Sequence, residues 1–266
     1  MAERPFQPGS IDYNGRIATN YTAARSLSDE TASIWTAIVE PFIKAAHPAT
    51  VLDLGCGTGR FSSLFAERLQ TRVIGLDPAL AMLRAANQRE DSDNLFYAAA
   101  RSEQLPLADC CCDVAWLSQM IHHVRDREAC ARELRRVLRR GGHVLIRGAF
   151  ADRLDGFPAF LRFFPGARDI MMQFPTSDQV QAAFRSAGFS AEEQRRVPQR
   201  SCKNLAELAE RTRLRADSTL SLLPDAEFER CQAALERAAS EEPPAPVIEI
   251  IDLLILQKRV AQADQT

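Results

Sequence analysis

Between residues 50 and 150, short apolar runs alternate with stretches in which apolar residues return every three or four positions. The runs at 50–54, 71–77, 95–99, 113–118 and 143–149 are short enough for strands and apolar enough to be buried on both faces. Between them, Phe61, Leu64, Phe65 and Leu69 share one helical stripe, and Cys130, Leu134, Val137 and Leu138 share another. Asp126 is placed to cap the start of the second helix, and Gly141-Gly142 to end it in the left-handed conformation. Strands alternating with helices predict an α/β fold, a parallel sheet with right-handed crossovers and helices on both faces. In such a sheet a ligand sits beyond the carboxyl ends of the strands, where the strand order switches direction.

The flanks follow other patterns. Residues 28–45 read as a helix with Ile34, Trp35, Ile38, Val39 and Phe42 on one stripe, preceded by a polar stretch, 11–26, that holds tyrosines and arginines. Residues 150–174 are irregular and rich in phenylalanine. A helix at 177–187 ended by Gly188, a strand near 192–198, two or three helices within 204–240 and a last strand at 247–257 complete the chain. The expected division is an N-terminal helical cap (1–46), a core (47–150), and a third part (151–266) with a lid, a helical insertion and the last two strands. No internal repeat is visible.

The chemistry concentrates at the first strand. Val51-Leu52-Asp53-Leu54-Gly55-Cys56-Gly57-Thr58-Gly59-Arg60 carries three glycines at alternate positions, and a helix opens at Phe61. A backbone that closes on a ligand there needs residues without Cβ. In dinucleotide-binding folds the spacing is G-x-G-x-x-G. Here the third glycine comes one residue early, and Asp53 stands two places before the first. The second strand ends Val73-Ile74-Gly75-Leu76-Asp77-Pro78. A carboxylate at that point can accept both hydroxyls of a ribose, which suits NAD and S-adenosylmethionine (SAM) alike, and it can equally be a plain helix cap. Pro78 suits a first helical position.

Together with Ala100-Arg101-Ser102-Glu103-Gln104-Leu105-Pro106, Asp113-Val114-Ala115-Trp116-Leu117-Ser118-Gln119-Met120-Ile121-His122-His123 and Glu133 to Gly142, the loop resembles the class I SAM-dependent methyltransferases. The likeness is to their small-molecule branch, which includes the C-methyltransferases of ubiquinone and menaquinone biosynthesis, and it spans roughly residues 10 to 150. It implies a Rossmann-like doubly wound sheet of seven strands, mostly parallel with the last antiparallel. It also implies SAM as cofactor, S-adenosylhomocysteine as product, and a small-molecule acceptor. On this resemblance Gly55, Cys56, Gly57 and Gly59 approach the cofactor, with Asp53 organising the loop or meeting the amino group. Asp77 and Pro78 then hold the ribose end, Met82 packs on the adenine, and Ser118 and Gln119 lie near the methionine moiety. One departure stands out: Arg101 occupies a position that is acidic in many relatives, so Arg101 and Ser102 must serve the adenine edge.

Composition narrows the competing classes. At 46% hydrophobic residues the chain can bury a core without disulfides or metal. Its 33 Lys and Arg against 35 Asp and Glu leave a net charge of −2, which argues against nucleic acid as a partner. The fourth strand is followed by Ser118-Gln119-Met120-Ile121 and not by an Asn-Pro-Pro-aromatic motif, which also disfavours nucleic-acid or protein methylation. An NAD-type dehydrogenase is disfavoured by the early third glycine, and a non-catalytic SAM-binding protein stays open. The seven cysteines are odd in number and show no C-x-x-C spacing, so neither a disulfide framework nor a metal site is expected. Cys110-Cys111-Cys112 reads as the turn before a buried strand. Met1 to Pro5 has no apolar run and no stretch reaches membrane-spanning length, which fits a cytoplasmic monomer or homodimer.

For the reaction itself, His122 is the candidate base and Tyr21 the group that orients the acceptor or covers the sulfonium. His123 reads as a packing or capping residue, while His47 and His143 fall at or near strand starts, on the opposite edge. The phenylalanine-rich segment supplies Phe160, Phe164, Met171 and Met172 as an apolar pocket for a small, apolar or aromatic acceptor. The sequence does not choose among O-, N- and C-methylation.

Overall fold

In the computed structural model, which describes residues 6–8, 11–46, 48–88 and 92–259, the five apolar runs pair into a parallel sheet. Met1 to Pro5 and His47 lie outside the described residues. Two helices precede the sheet, α1 (Arg16–Ala24) and α2 (Asp29–Lys44). The core then runs β1 (Thr50–Leu54), α3 (Arg60–Arg68), β2 (Arg72–Asp77), α4 (Leu80–Asn87), β3 (Leu95–Ala99), β4 (Cys112–Ser118), α5 (Arg127–Val137) and β5 (Leu138–Gly148). After it come α6 (Pro158–Phe163), α7 (Ala167–Met171), α8 (Ser177–Ser186), β6 (Phe189–Cys202), α9 (Leu205–Arg213), α10 (Ser218–Leu222), α11 (Asp225–Glu241) and β7 (Val247–Lys258). The strand order is β3-β2-β1-β4-β5-β7-β6, with β7 antiparallel to both neighbours. The order reverses between β1 and β4, so a crevice opens at their carboxyl ends.

Local chemistry sets the element ends. The Ser28 hydroxyl accepts from Thr31 N and starts α2, and the Asp126 carboxylate accepts from Ala129 N and starts α5. Three boundaries depart from the sequence pattern. Helix α5 stops at Val137, because Leu138 already pairs with Cys112 on β4; the left-handed Gly141 (φ 72°) belongs to a register shift inside β5. Pro78 precedes Ala79, the residue that caps α4, so it is not a first helical residue. Strand β6 is twice as long as its apolar content suggests: it lies at the sheet edge, where Glu192, Glu193, Arg195 and Arg196 face solvent at no cost to pairing.

Two apolar layers enclose the sheet. On one face Trp35, Phe61, Phe65 and Trp116 pack with ring centroids 5.1–5.7 Å apart. On the other, Leu52, Leu54 and Leu117 meet Phe150, Phe184 and Phe189. All seven cysteines are free thiols, and Cys112 begins β4 in full burial. Among the described residues no helix is long and apolar enough to cross a membrane, and no His, Cys, Asp or Glu cluster is arranged to hold a metal.

Candidate active site

The loop after β1 needs its glycines for different reasons. Gly55, Gly57 and Gly59 all have positive φ, at 73°, 56° and 74°. A Cβ on Gly55 would stand 2.8 Å from the Met120 Cβ, so only glycine lets the β1 and β4 ends approach. A Cβ on Gly59 would overlap the Tyr97 hydroxyl, so this glycine serves packing and is not part of the cavity over the loop. The amides of Gly55 and Cys56 both donate to Leu76 O, at 2.7 and 3.1 Å, which ties the loop to β2.

Two carboxylates anchor this loop from below and beside it. Asp77 accepts from Gly57 N at 2.9 Å through one oxygen and from Ala79 N at 2.8 Å through the other. Each oxygen keeps a lone pair for a ligand. Burial raises Asp77 above the usual carboxylate range, against the pull of those two amides. Asp53 lies fully beneath the loop, accepts from Ser62 Oγ at 2.5 Å, and is pushed up to about 7 by burial. It does not reach the cavity, nor does Cys56, whose buried thiol turns toward Gly75.

A cavity of about 460 Å³, within the range of small-molecule sites, opens over the loop. Gly55 and Gly57 form its floor, with Asp77, Pro78 and Met82 on one side. Arg101 and Ser102 stand on another side, and Ser118 and Gln119 close the β4 end. Glu103 also lines it and accepts from Ser102 Oγ at 3.1 Å, so a carboxylate is present at this corner two residues past Arg101. Gln119 holds φ 55°, a strained value for a residue with a side chain, and its amide donates to Arg147 O at 2.7 Å. The sequence pattern missed Tyr13 and His123, which face the same cavity with Tyr13 Oη and His123 Nε2 2.8 Å apart. His123 packs against Phe6 and Tyr13, as the sequence reading has it, and also faces the cavity. His143 sits at the far edge of the sheet, 3.2 Å from Glu192.

A second cavity of about 140 Å³ meets the first at Tyr13, Tyr21 and Gln119. Its apolar wall is Phe157, Phe160, Met171 and Phe174. Phe164 and Met172 are not part of it: Phe164 is buried between Phe160 and Phe228, and Met172 turns outward at 56% exposure because α7 is a single short turn. The facing wall is charged, with Arg25, Arg60, Arg147 and Glu249. Arginine 147 and Glu249 escaped notice in the sequence, although a charge inside an otherwise apolar strand was the signal for both. His122 also lines this cavity, stacked on Phe174 at 4.2 Å and 11°. Burial, with His123 and Arg25 nearby, holds its pKa well below the ordinary histidine value.

Comparison with known proteins adds a family to this geometry. Residues 52–146 match the methyltransferase domain family. The malonyl-[acyl-carrier protein] O-methyltransferase of Serratia marcescens is 35% identical over 142 residues, 52% of this chain and 54% of that protein. The chain thus spans about half the length of that relative. The 27-O-demethylrifamycin SV methyltransferase of Amycolatopsis mediterranei is 30% identical over 201 residues, 73% of this chain and 72% of its own length. Among solved structures, the crystal structure of the [4+2]-cyclase SpnF aligns over 97% of this chain and 100% of its own, with a TM-score of 0.66 and 18% identity, a likeness of fold alone.

Proposed function

The chain belongs to the class I SAM-dependent methyltransferase family, and from that membership we propose that it methylates a small molecule held in the second cavity. The observation that carries the reading is the meeting of the two cavities at Tyr13, Tyr21 and Gln119. The larger one offers what SAM requires. The spare lone pairs of Asp77 suit two ribose hydroxyls, Met82 offers an apolar face to the adenine, and Ser102 with Glu103 offers hydrogen bonds at its edge. Ser118 and Gln119 suit the methionine end. When bound, SAM supplies a methyl group on a sulfonium cation.

What remains for the protein is to place an acceptor atom in line and exclude water. Orientation of this kind is worth roughly 7–11 kcal/mol of barrier. Tyr21, on α1 at the junction, is the residue we assign to positioning the acceptor. His122 is a poor base in this setting: a depressed pKa keeps it neutral and weakens its pull on a proton. We assign it to the wall of the acceptor cavity. The O-methylating relatives favour oxygen as the acceptor atom. The seven free thiols fit a reducing compartment.

Calorimetry tests the cofactor and a coupled assay the reaction. SAM and S-adenosylhomocysteine are expected to bind while NAD does not, and a panel of small oxygen acceptors should release S-adenosylhomocysteine. Tight SAM binding with no release against any acceptor would leave a non-catalytic binder, and NAD binding alone would end the proposal. For His122, the His122→Asn variant is expected to keep kcat within about threefold of wild type, with an unchanged pH profile. A loss of about 10²–10⁴ in kcat, the magnitude of a missing general base, would return His122 to the chemistry.

A further inference from the structure

The acceptor cavity contains a buried cation that, among the described residues, has no carboxylate hydrogen-bonded or ion-paired to it. Arg147 is 3% exposed, on β5 directly beside Ser118 of β4, and it lines the cavity wall. Its guanidinium lies over the rings of Trp35 and Phe61, at 4.7 and 5.5 Å from their centroids. Both of its hydrogen-bond partners are neutral: Nη1 donates to Ser118 Oγ at 3.2 Å and Nη2 to Gln199 Oε1 at 2.9 Å. Its Nε is buried with no partner. Three other arginines of the wall differ: Arg25 is paired with Asp217, Arg200 with Glu30 and Arg211 with Glu207, while Arg60 Nη1 donates to Arg25 O.

Glu249 shares the cavity and attracts Arg147 through space, but the two form no ion pair. It faces Gln199 across the β6–β7 ladder. Gln199 in turn spends its oxygen on Arg147 and on Trp35 Nε1, each at 2.9 Å. An interposed amide keeps both charges in the cavity and stops them closing on each other. A guanidinium left in low dielectric with only neutral partners is unfavourable without an anion. Burial, then repulsion from Arg60, lowers its pKa to about 9 against the opposing pull of Glu249, which leaves it charged at neutral pH.

We propose that Arg147 is the anchor for a carboxylate carried by the acceptor, whose apolar or aromatic body lies against Phe157, Phe160 and Phe174. The planar guanidinium matches a carboxylate, and a cavity of about 140 Å³ suits a molecule of benzoate size. Glu249 sets the selectivity: one negative charge is accepted at Arg147 and a second is repelled. Aromatic monocarboxylates are thus favoured over their neutral amides and over doubly charged phosphate monoesters. The proposal rests on the reading of the second cavity as the acceptor site.

The test is calorimetric titration of benzoate, benzamide and phenyl phosphate into this chain saturated with S-adenosylhomocysteine. Benzoate is expected to bind at least about tenfold more tightly than benzamide, the size of one charged hydrogen bond, and more tightly than phenyl phosphate. Arg147→Gln should bring benzoate and benzamide to within about twofold. Glu249→Gln should shift the ratio the opposite way, further toward benzoate, because a neighbouring negative charge is removed. Arg147→Lys, which keeps the charge and loses the planar fork, should lower the benzoate preference without abolishing it, and it keeps the test decisive if Arg147→Gln fails to fold. Equal affinities in the wild type, no measurable benzoate binding, or a Glu249→Gln ratio that does not rise would each overturn the anchor. Failure of wild type to bind S-adenosylhomocysteine counts against the cofactor assignment instead, and a benzoate preference measured without it still supports Arg147.

Discussion

Replacing Asp77 with alanine is expected to weaken SAM binding by at least about tenfold while the protein stays folded. Two effects add. The ribose loses hydrogen bonds to a charged group, each worth about 1.5–3 kcal/mol, where 1.4 kcal/mol is a factor of ten. The loop also loses its tie, because the same carboxylate accepts from Gly57 N and Ala79 N. Asp77→Asn keeps one acceptor oxygen and should fall between the two. Since burial raises the Asp77 pKa, wild-type affinity should begin to fall, as pH is lowered, at a higher pH than an ordinary carboxylate would give. Calorimetry with a parallel thermal melt checks the expectation. Unchanged affinity in a folded Asp77→Ala variant would remove the ribose assignment.

Most of the scaffold behind this site was legible because its signals are local. The runs at 50–54 and 95–99 became β1 and β3 without change, and Ser28 and Asp126 cap the helices their chemistry suited. What failed to show depends on distant partners. Leu138-Arg139-Arg140 continues a helical stripe in sequence, yet pairing with β4 makes it strand. Phe164 and Met172 look like Phe160 and Met171 in composition, and only the turns of α6 and α7 decide which of them face the cavity. Arg147 looks like a polar interruption in an apolar strand. Its meaning comes from Gln199 and Glu249, 52 residues and more away, delivered by the antiparallel pair β6 and β7. The glycine loop is readable from ten residues, whereas the second cavity draws on α1, β5, β6, β7 and the lid at once. The loop side of the candidate site is thus local in sequence, and the second cavity is tertiary.

The aromatic layer under the site makes the last expectation a large one. Trp116, in the middle of β4, is fully buried and meets Trp35, Phe61 and Phe65 edge-on at 5.7, 5.1 and 5.4 Å. Trp116→Ala removes a large side chain from a layer locked by α2, α3 and β4, which cannot collapse into the gap. Loss of a buried aromatic to alanine costs about 3–5 kcal/mol. At roughly 2–4 °C per kcal/mol for a chain of this class, Tm should fall by about 6–20 °C. The tryptophan also carries a cost of its own, since its Nε1 is buried with no hydrogen-bond partner. A buried unsatisfied donor costs about 1–3 kcal/mol, so Trp116→Phe, which keeps a ring and deletes the donor, should lose less than half as much as alanine. Thermal unfolding of the two variants separates the effects. If phenylalanine destabilised as much as alanine, the indole volume alone would be responsible and the unpaired donor would carry no weight. If alanine cost under about 1 kcal/mol, this layer would not be what holds the β4 end, and with it Ser118 and Gln119, in place.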